Sequence, residues 1–313
     1  MRCIFRSSCV LFILFWANQS SGQPASMLTL IKNNDLPEIK AQLAKHVSLA
    51  ERDSAGDNVL MYAALYSTAE CMEVLLKSGT DPNATNKIGE TALFWCSGDF
   101  EKTRLLLNHK AKTDVVTNKG NTPLLTACLG NNQQEIISLL LQHGADARAK
   151  NKRGVTTLIQ LAGFGDTMSA AKLLALGADI NAKTKDSVTA LFVATRHGHR
   201  DMVKWLINNG ADVNSMDNYK ATALAYGVVH NDQELVTLLL NKIKDLNAPD
   251  LDGMTLLMWA VYSEYDNPAI IQAFLDKKVA LNSKDKNGQT ALDWAKKKGN
   301  TATVALLKSA GAE

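Results

Sequence analysis

No single sign of charge dominates this chain. Its 34 Lys and Arg nearly balance its 31 Asp and Glu, for a formal net charge of +3. Arg2 and Arg6 supply two of those charges and precede an apolar run, which leaves +1 on the remainder. No basic block offers the phosphate-binding footprint of a nucleic-acid-binding domain. The Lys296-Lys297-Lys298 run is short and reads as a solvated helix face. Long apolar runs are missing as well: Cys9 to Ala17 falls far short of the about 20 residues that cross a bilayer, and no later stretch is long or apolar enough. Cysteines are few, and those outside the first residues (Cys71, Cys96 and Cys128) are odd in number, which excludes a complete disulfide framework. They occupy apolar positions, where small buried thiols act as inert filler.

Catalytic signatures are equally scarce. No serine sits in a Gly-x-Ser-x-Gly elbow, and no glycine-rich phosphate loop precedes a Lys-Ser/Thr pair. One His-Gly-His, His197 and His199, has the look of a metal pair, yet no carboxylate or thiol pattern accompanies it. These absences point to a chain with no enzyme activity, no metal and no cofactor. Asn83-Ala84-Thr85 is a formal glycosylation sequon whose Asn is read as a turn residue.

What is present begins with a leader. Two basic residues, an apolar core and a small polar stretch from Asn18 to Gly22 match the three regions of a secretory signal peptide. Cleavage is expected near Gly22, which makes residues 1–22 a removable segment and the mature chain periplasmic or secreted, without stable membrane insertion. An uncleaved membrane anchor is the competing expectation.

Beyond the leader the chain repeats itself. Gly89-Glu90-Thr91-Ala92-Leu93, Gly120-Asn121-Thr122-Pro123-Leu124, Gly154-Val155-Thr156-Thr157-Leu158, Gly253-Met254-Thr255-Leu256-Leu257 and Gly288-Gln289-Thr290-Ala291-Leu292 share one pattern. Degenerate copies start at Gly56, Ser187 and Lys220. The spacing is about 33 residues, with one copy shortened to 31 and one lengthened to 35. An apolar stretch such as Met202 to Ile207 follows each start and ends in Gly-Ala-Asp-x-Asn, as in Gly210 to Asn214.

Each element of the pattern has a mechanical reason. Threonine before Pro or Ala is a helix N-cap, and Pro123 fits the first turn. Apolar residues three and four apart give the second helix one buried stripe. Gly79, Gly144, Gly177 and Gly210 supply the left-handed residue that stops it, and Asp and Asn suit the turn beyond.

These motifs resemble the ankyrin repeat, whose D-x-x-G-x-T-P-L-H-x-A reads here Asp250-Leu251-Asp252-Gly253-Met254-Thr255-Leu256-Leu257-Met258-Trp259-Ala260. The resemblance implies an all-α solenoid of stacked helix–turn–helix units with hairpin-like loops and a concave groove. It divides the chain into an opening capping half-repeat (23–52), seven repeats (53–85, 86–116, 117–150, 151–183, 184–216, 217–249 and 250–284) and a closing cap (285–313). The family's histidine is absent from every copy; Met61, Phe94, Leu125, Ile159, Phe192, Ala225, Met258 and Asp293 stand there instead. Apolar burial is expected to replace a polar bridge. Lys110, Ile243 and Lys278 replace the terminating glycine, so those helix ends, like the 31- and 35-residue copies, are expected to be irregular.

Aromatics make up only 6% of the chain, yet many share one face of the first helices. In this family that face lines the groove. Tyr62, Tyr66, Trp95, Arg196, His197, Tyr226, His230, Trp259, Tyr262 and Trp294 stand on it, and Tyr219 on a loop tip. Stiff aromatics beside Arg are the anchors that protein interfaces use, and at least half of these residues are expected to be exposed. The resulting expectation is a monomeric, exported scaffold that holds a protein partner, resembling periplasmic or secreted bacterial ankyrin proteins. An inhibitor or immunity-type protein for an envelope enzyme, or an envelope stress-protection accessory, are the more specific alternatives. An enzyme would need acids converging near His197 and His230, and a bare spacer would need a groove of small polar residues.

Overall fold

The computed structural model describes residues 25–96, 98–129 and 133–313; the leader at 1–22 lies outside them. Helix pairs follow one another along the chain, opened by α1 (Met27–Lys32) and α2 (Leu36–Ala44). Next come α3 (Val59–Tyr66) with α4 (Ala69–Lys77), α5 (Ala92–Trp95) with α6 (Phe100–Asn108), and α7 (Pro123–Ala127) with α8 (Gln133–Gln142). After α9 (Thr157–Ala162) with α10 (Thr167–Ala175) stand α11 (Ala190–Arg196) with α12 (Arg200–Asn208) and α13 (Ala223–Val229) with α14 (Gln233–Leu240). The last pairs are α15 (Leu256–Tyr262) with α16 (Pro268–Asp276) and α17 (Ala291–Lys298) with α18 (Thr301–Ser309). Odd-numbered helices stack in one row, from α1 on α3 to α15 on α17, and even-numbered helices stack behind them. Among the described residues β structure is limited to isolated bridges such as Arg52 with Asn58. The fold is therefore the all-α solenoid.

The caps work as their chemistry requires. Thr122, Thr156, Thr189, Thr255 and Thr290 each accept the backbone N–H three residues on, at 3.2 to 3.4 Å. Asn58 does the same in the first full repeat. Thr91 and Thr222 hold the cap position without that bond, and their buried hydroxyls have no described partner. Met61, Leu125 and Met258 are fully buried where the family has histidine, so apolar contact does replace the polar bridge there. In the last copy Asp293 instead completes a capping box with Thr290.

Hairpins align through a backbone ladder from each loop tip to the one before. Lys87 N–H donates to the Ala55 carbonyl, Asn118 to Ile88, Lys152 to Lys119, Leu251 to Tyr219 and Lys286 to Asp252, at 2.8 to 3.1 Å. Glycine serves this contact: a Cβ on Gly253 would lie 2.9 Å from the Lys286 nitrogen, at a φ of +78°. The Asn of Gly-Ala-Asp-x-Asn runs a second ladder. Asn83 donates to the Lys110 carbonyl and accepts from Lys112 N–H, and Asn181 bridges to Gly210 and Asp212 likewise. The amide of the Asn83 sequon is thus committed to holding two repeats together.

The irregular copies adjust locally. Lys110 and Lys278 take up the left-handed backbone of the missing glycine (φ +66° and +55°), so the expected irregularity does not arise there, whereas Ile243 lies outside that region. The 31-residue copy has a first helix of only one turn, α5, and the buried Lys102 Nζ reaches the Ala64 carbonyl at the end of α3. In the 35-residue copy the lengthened link between α15 and α16 carries Asp266. Its carboxylate accepts from Ala302 N–H, Thr303 N–H and the Thr303 hydroxyl, capping α18, whose own N-cap Asn300 makes no capping bond and instead donates its side-chain amide to the Val261 carbonyl.

Candidate interaction groove

The eleven residues expected on the inner face divide by what the first helices and hairpins do with them. Tyr66, Arg196, His197, Tyr219, His230 and Tyr262 are exposed; Tyr62, Trp95, Tyr226, Trp259 and Trp294 are half-buried. More than half therefore face solvent, Tyr219 at 69%.

The half-buried rings share a device that the sequence reading did not single out. Each hairpin that opens on Asp has a Tyr or Trp nine residues later, and the two bond. Tyr62 donates its hydroxyl to Asp53 (3.1 Å) and Tyr226 to Asp217 (2.9 Å). The indoles of Trp259 and Trp294 donate to Asp250 (2.8 Å) and Asp285 (2.9 Å). The other carboxylate oxygen accepts two hairpin N–H groups, those of Asp252 and Met254 in the case of Asp250. One side chain thus closes the hairpin and fixes the ring. Where Asn86 stands instead of Asp, Trp95 turns to Glu90 at 3.1 Å. Burial and then the Asp217 carboxylate push the Tyr226 hydroxyl up to about 12, so it stays a neutral donor. Burial alone would raise the Asp285 carboxyl, but the Gln289 N–H, the Trp294 indole and the Asn287 N–H outweigh it and hold it below its ordinary 3.8.

Five of the expected residues converge. A cavity of about 390 Å³ opens between first helices and hairpins, with Arg196, Tyr226, His230 and Trp259 from the helices and Tyr219 from a loop tip. Asp250 and Asp252 complete one wall. Its depth comes from Ala221 and Ala225, and Ala225 occupies the position that Phe192 and Met258 fill in the flanking copies. That drop in size was visible in the sequence. Beyond the cavity, Tyr262 meets Trp259 and Trp294 edge-on, with ring centres 5.9 and 5.2 Å away. Lys297 lies over Trp294 (4.6 Å) and Lys298 over Tyr262 (4.2 Å).

The remaining residues stand apart. Tyr62 and Tyr66 form their own pair near the N-terminal end, 5.6 Å between ring centres, with Lys32 over Tyr66. Trp95 is bound within its own repeat. His197 stacks on His199 at 6.1 Å, and one nitrogen of each ring lies 2.9 Å from a carbonyl oxygen (Val193 and Gly163). Among the described residues no group of three or more His, Cys, Asp or Glu is arranged to hold a metal ion.

The family model for ankyrin repeats matches residues 60–151, 158–250 and 243–313. The chain belongs to the ankyrin-repeat family. Similar chains include the Escherichia coli (strain K12) protein YahD, named for its ankyrin repeats, at 26% identity over 43% of this chain and 87% of YahD. The ankyrin repeat protein FPV031 of fowlpox virus is 32% identical, over 42% of this chain and 40% of its own length. The mouse B-cell lymphoma 3 protein homolog is 33% identical, over 36% and 27%. The match thus spans well under half of the latter two. Ankyrin repeats generally mediate protein–protein interaction. No helix among the described residues of this ankyrin chain is long and apolar enough to cross a membrane.

Proposed function

We propose that this ankyrin-repeat chain is a non-catalytic scaffold, exported from the cytoplasm by its leader, that holds a protein partner along the face of its hairpins and first helices. The observation that carries the reading is the tethering of the groove aromatics. Ring surface is left open while the polar heads of Tyr226, Trp259 and Trp294 are tied to their own hairpins. A ring fixed before binding loses less freedom on binding, which favours affinity. Export rests on the leader's basic, apolar and polar regions.

Trp259 is part of a hairpin bond, so its removal perturbs fold and surface together. Tyr219 and Tyr262 are exposed, and their hydroxyls have no described partner, which makes them the cleaner probes. A photo-crosslinking amino acid at either position is expected to trap a specific protein in the envelope fraction of the native host. The same group at Thr237, on the exposed side of α14, is expected not to. Equal labelling from Thr237, or none from the groove, refutes the scaffold reading. N-terminal sequencing of the exported protein tests cleavage near Gly22.

A further inference from the structure

Resting on that protein-binding reading, we propose that the cavity between the Asp217 and Asp250 hairpins receives a basic side chain of the partner, the ammonium of a lysine or the guanidinium of an arginine. The cation is set against Tyr219, Tyr226 and Trp259, at the end of the cavity that Asp250 and Asp252 make acidic, with its aliphatic stem over Ala221 and Ala225.

The charges of the lining select the sign of the occupant. Two carboxylates, Asp250 and Asp252, stand against the single guanidinium of Arg196. The N–H groups of Asp252 and Met254 and the Trp259 indole orient Asp250, but neutral donors leave its charge whole. Asp217 adds a third carboxylate, joined to the Tyr226 hydroxyl at 2.9 Å. The adjoining crevice brings in Lys220 and Asp245, one charge of each sign, and so leaves the balance acidic. Arg196 comes from α11, whereas the Asp250 hairpin belongs two repeats further on. The guanidinium and the carboxylates therefore stand at opposite ends of the lining along the array. A cation entering between them is drawn toward Asp252, which is exposed at the rim.

The rings point to the same sign. Their faces attract cations, and a carboxylate that accepts a ring's polar hydrogen adds electron density to that face. Tyr226 and Trp259 are both tied in this way, to Asp217 and Asp250. The last copy shows the arrangement already filled: Trp294 donates to Asp285 and carries its own Lys297, 4.6 Å from the ring centre. Three residues on from Trp259 stands Tyr262 instead of lysine. Among the described residues no lysine or arginine lies over Tyr219, Tyr226 or Trp259. The cavity thus offers tethered rings without the cation that the last copy supplies from within. At about 390 Å³ it is at the small end of ligand sites, which run from roughly 300 to 1,000 Å³, and takes one long side chain with a neighbour, not a folded element. Lysine and arginine bring an apolar stem below a charged head, which matches an alanine floor beneath an acidic rim.

Three fluorescent dodecapeptides of serine alternating with Lys, Gln or Glu test this by anisotropy on the purified protein, at about 0.15 M salt to screen distant charges. The Lys peptide is expected to bind about fivefold more tightly than the Gln peptide, the scale of one cation–ring contact, and the Glu peptide more weakly than either. Arg196→Gln removes the opposing charge and tightens the Lys peptide about twofold or more, a gain that no loss of folding can imitate. Asp252→Asn lowers the Lys preference about threefold, and Tyr219→Leu, which removes an exposed ring, does the same. Asp276→Asn, on the exposed side of α16 in the outer row, leaves it unchanged. Equal binding of the three peptides, no binding by any, weaker Lys binding in Arg196→Gln, or a loss in Asp276→Asn equal to that in Asp252→Asn overturns the proposal. If Tyr219 and Tyr262 crosslink a protein while the peptides bind equally, the basic-side-chain proposal fails and the scaffold reading stands. If the peptides bind as expected but no groove position crosslinks a protein, the scaffold reading fails instead.

Discussion

Replacing Asp250 by Asn separates the two tasks of the hairpin carboxylate. An Asn oxygen can still accept the N–H groups of Asp252 and Met254, now 2.8 and 2.9 Å from Oδ1. Its amide nitrogen would then face the Trp259 indole, donor against donor, and the 2.8 Å bond is lost. The chain contains its own control: Asn86 accepts Ile88 and Glu90 N–H at the same hairpin position, and Trp95 finds Glu90 as another acceptor. Trp259 has no such alternative, because Met254 stands where Glu90 does. Bonds to a charged group contribute about 1.5–3 kcal/mol, and the half-buried setting puts this one near the low end. Asp250→Asn is therefore expected to cost about 1–1.5 kcal/mol in urea unfolding. The Trp259 indole proton, which reads local opening, should exchange about tenfold faster. Trp259→Phe removes the other partner, and the double variant should show a coupling of about 1 kcal/mol. Unchanged indole exchange, or additivity within about 0.3 kcal/mol, would refute the clamp.

Acid unfolding follows from the same carboxylates. Burial raises Asp53, but the Asp57 and Ala55 N–H groups and the Tyr62 hydroxyl more than offset it, so like Asp285 it lies below 3.8 when folded. Its contribution is present above pH 3.8 and is lost as pH falls through the lower folded value; Asp285→Asn should flatten that acid limb in a stability–pH titration. Lys110→Gly and Lys278→Gly relieve left-handed strain and are each expected to stabilise by about 0.5–1 kcal/mol, measured by urea midpoint. Burial pushes Cys96 and Cys128 up to about 12, leaving about one thiolate in ten thousand at pH 8. A thiol reagent should label them only at the rate of unfolding; rapid labelling of the native protein would show that they are accessible.

The period of Gly-x-Thr-x-Leu was enough to place the helices because each repeat solves the same local problem: cap, stripe and stop. Register, face and end all follow from side chains within one unit. The ladders between units were not legible. Asn83 reads as a turn residue until Lys112 arrives to donate to it, and Asp266 reads as loop until α18 is seen to start beneath it. Both depend on residues about one repeat away, which no local pattern exposes. The groove was half legible. Helical spacing put Tyr226, Trp259 and Trp294 on one face, but exposure alone cannot tell a free anchor from a tethered one. The signal for tethering was present, as Asp with Tyr or Trp nine residues on.

Copy-to-copy variation inside the array carries the remaining information. Positions that answer to the scaffold repeat: threonine or asparagine at the cap, leucine after it, and at the stop glycine or a strained lysine in every copy but that of Ile243. Positions that face the groove do not. The ninth residue after the hairpin's start is Tyr62 and Trp95 in the first two copies, Thr126, Gln160 and Val193 in the middle three, and Tyr226, Trp259 and Trp294 in the last three. A face that served only to stack repeats would have no reason to change along the row, because every inner helix meets an equivalent neighbour. Instead ring, cation and cavity gather at the C-terminal end, where Ala225 replaces a large side chain and Arg196 makes no ion pair among the described residues. The cavity at Ala225 forgoes burial that Phe192 and Met258 supply in the flanking copies, and a void lined by rings costs stability unless something fills it. Stacking thus accounts for the regular residues and not for the places where regularity is given up.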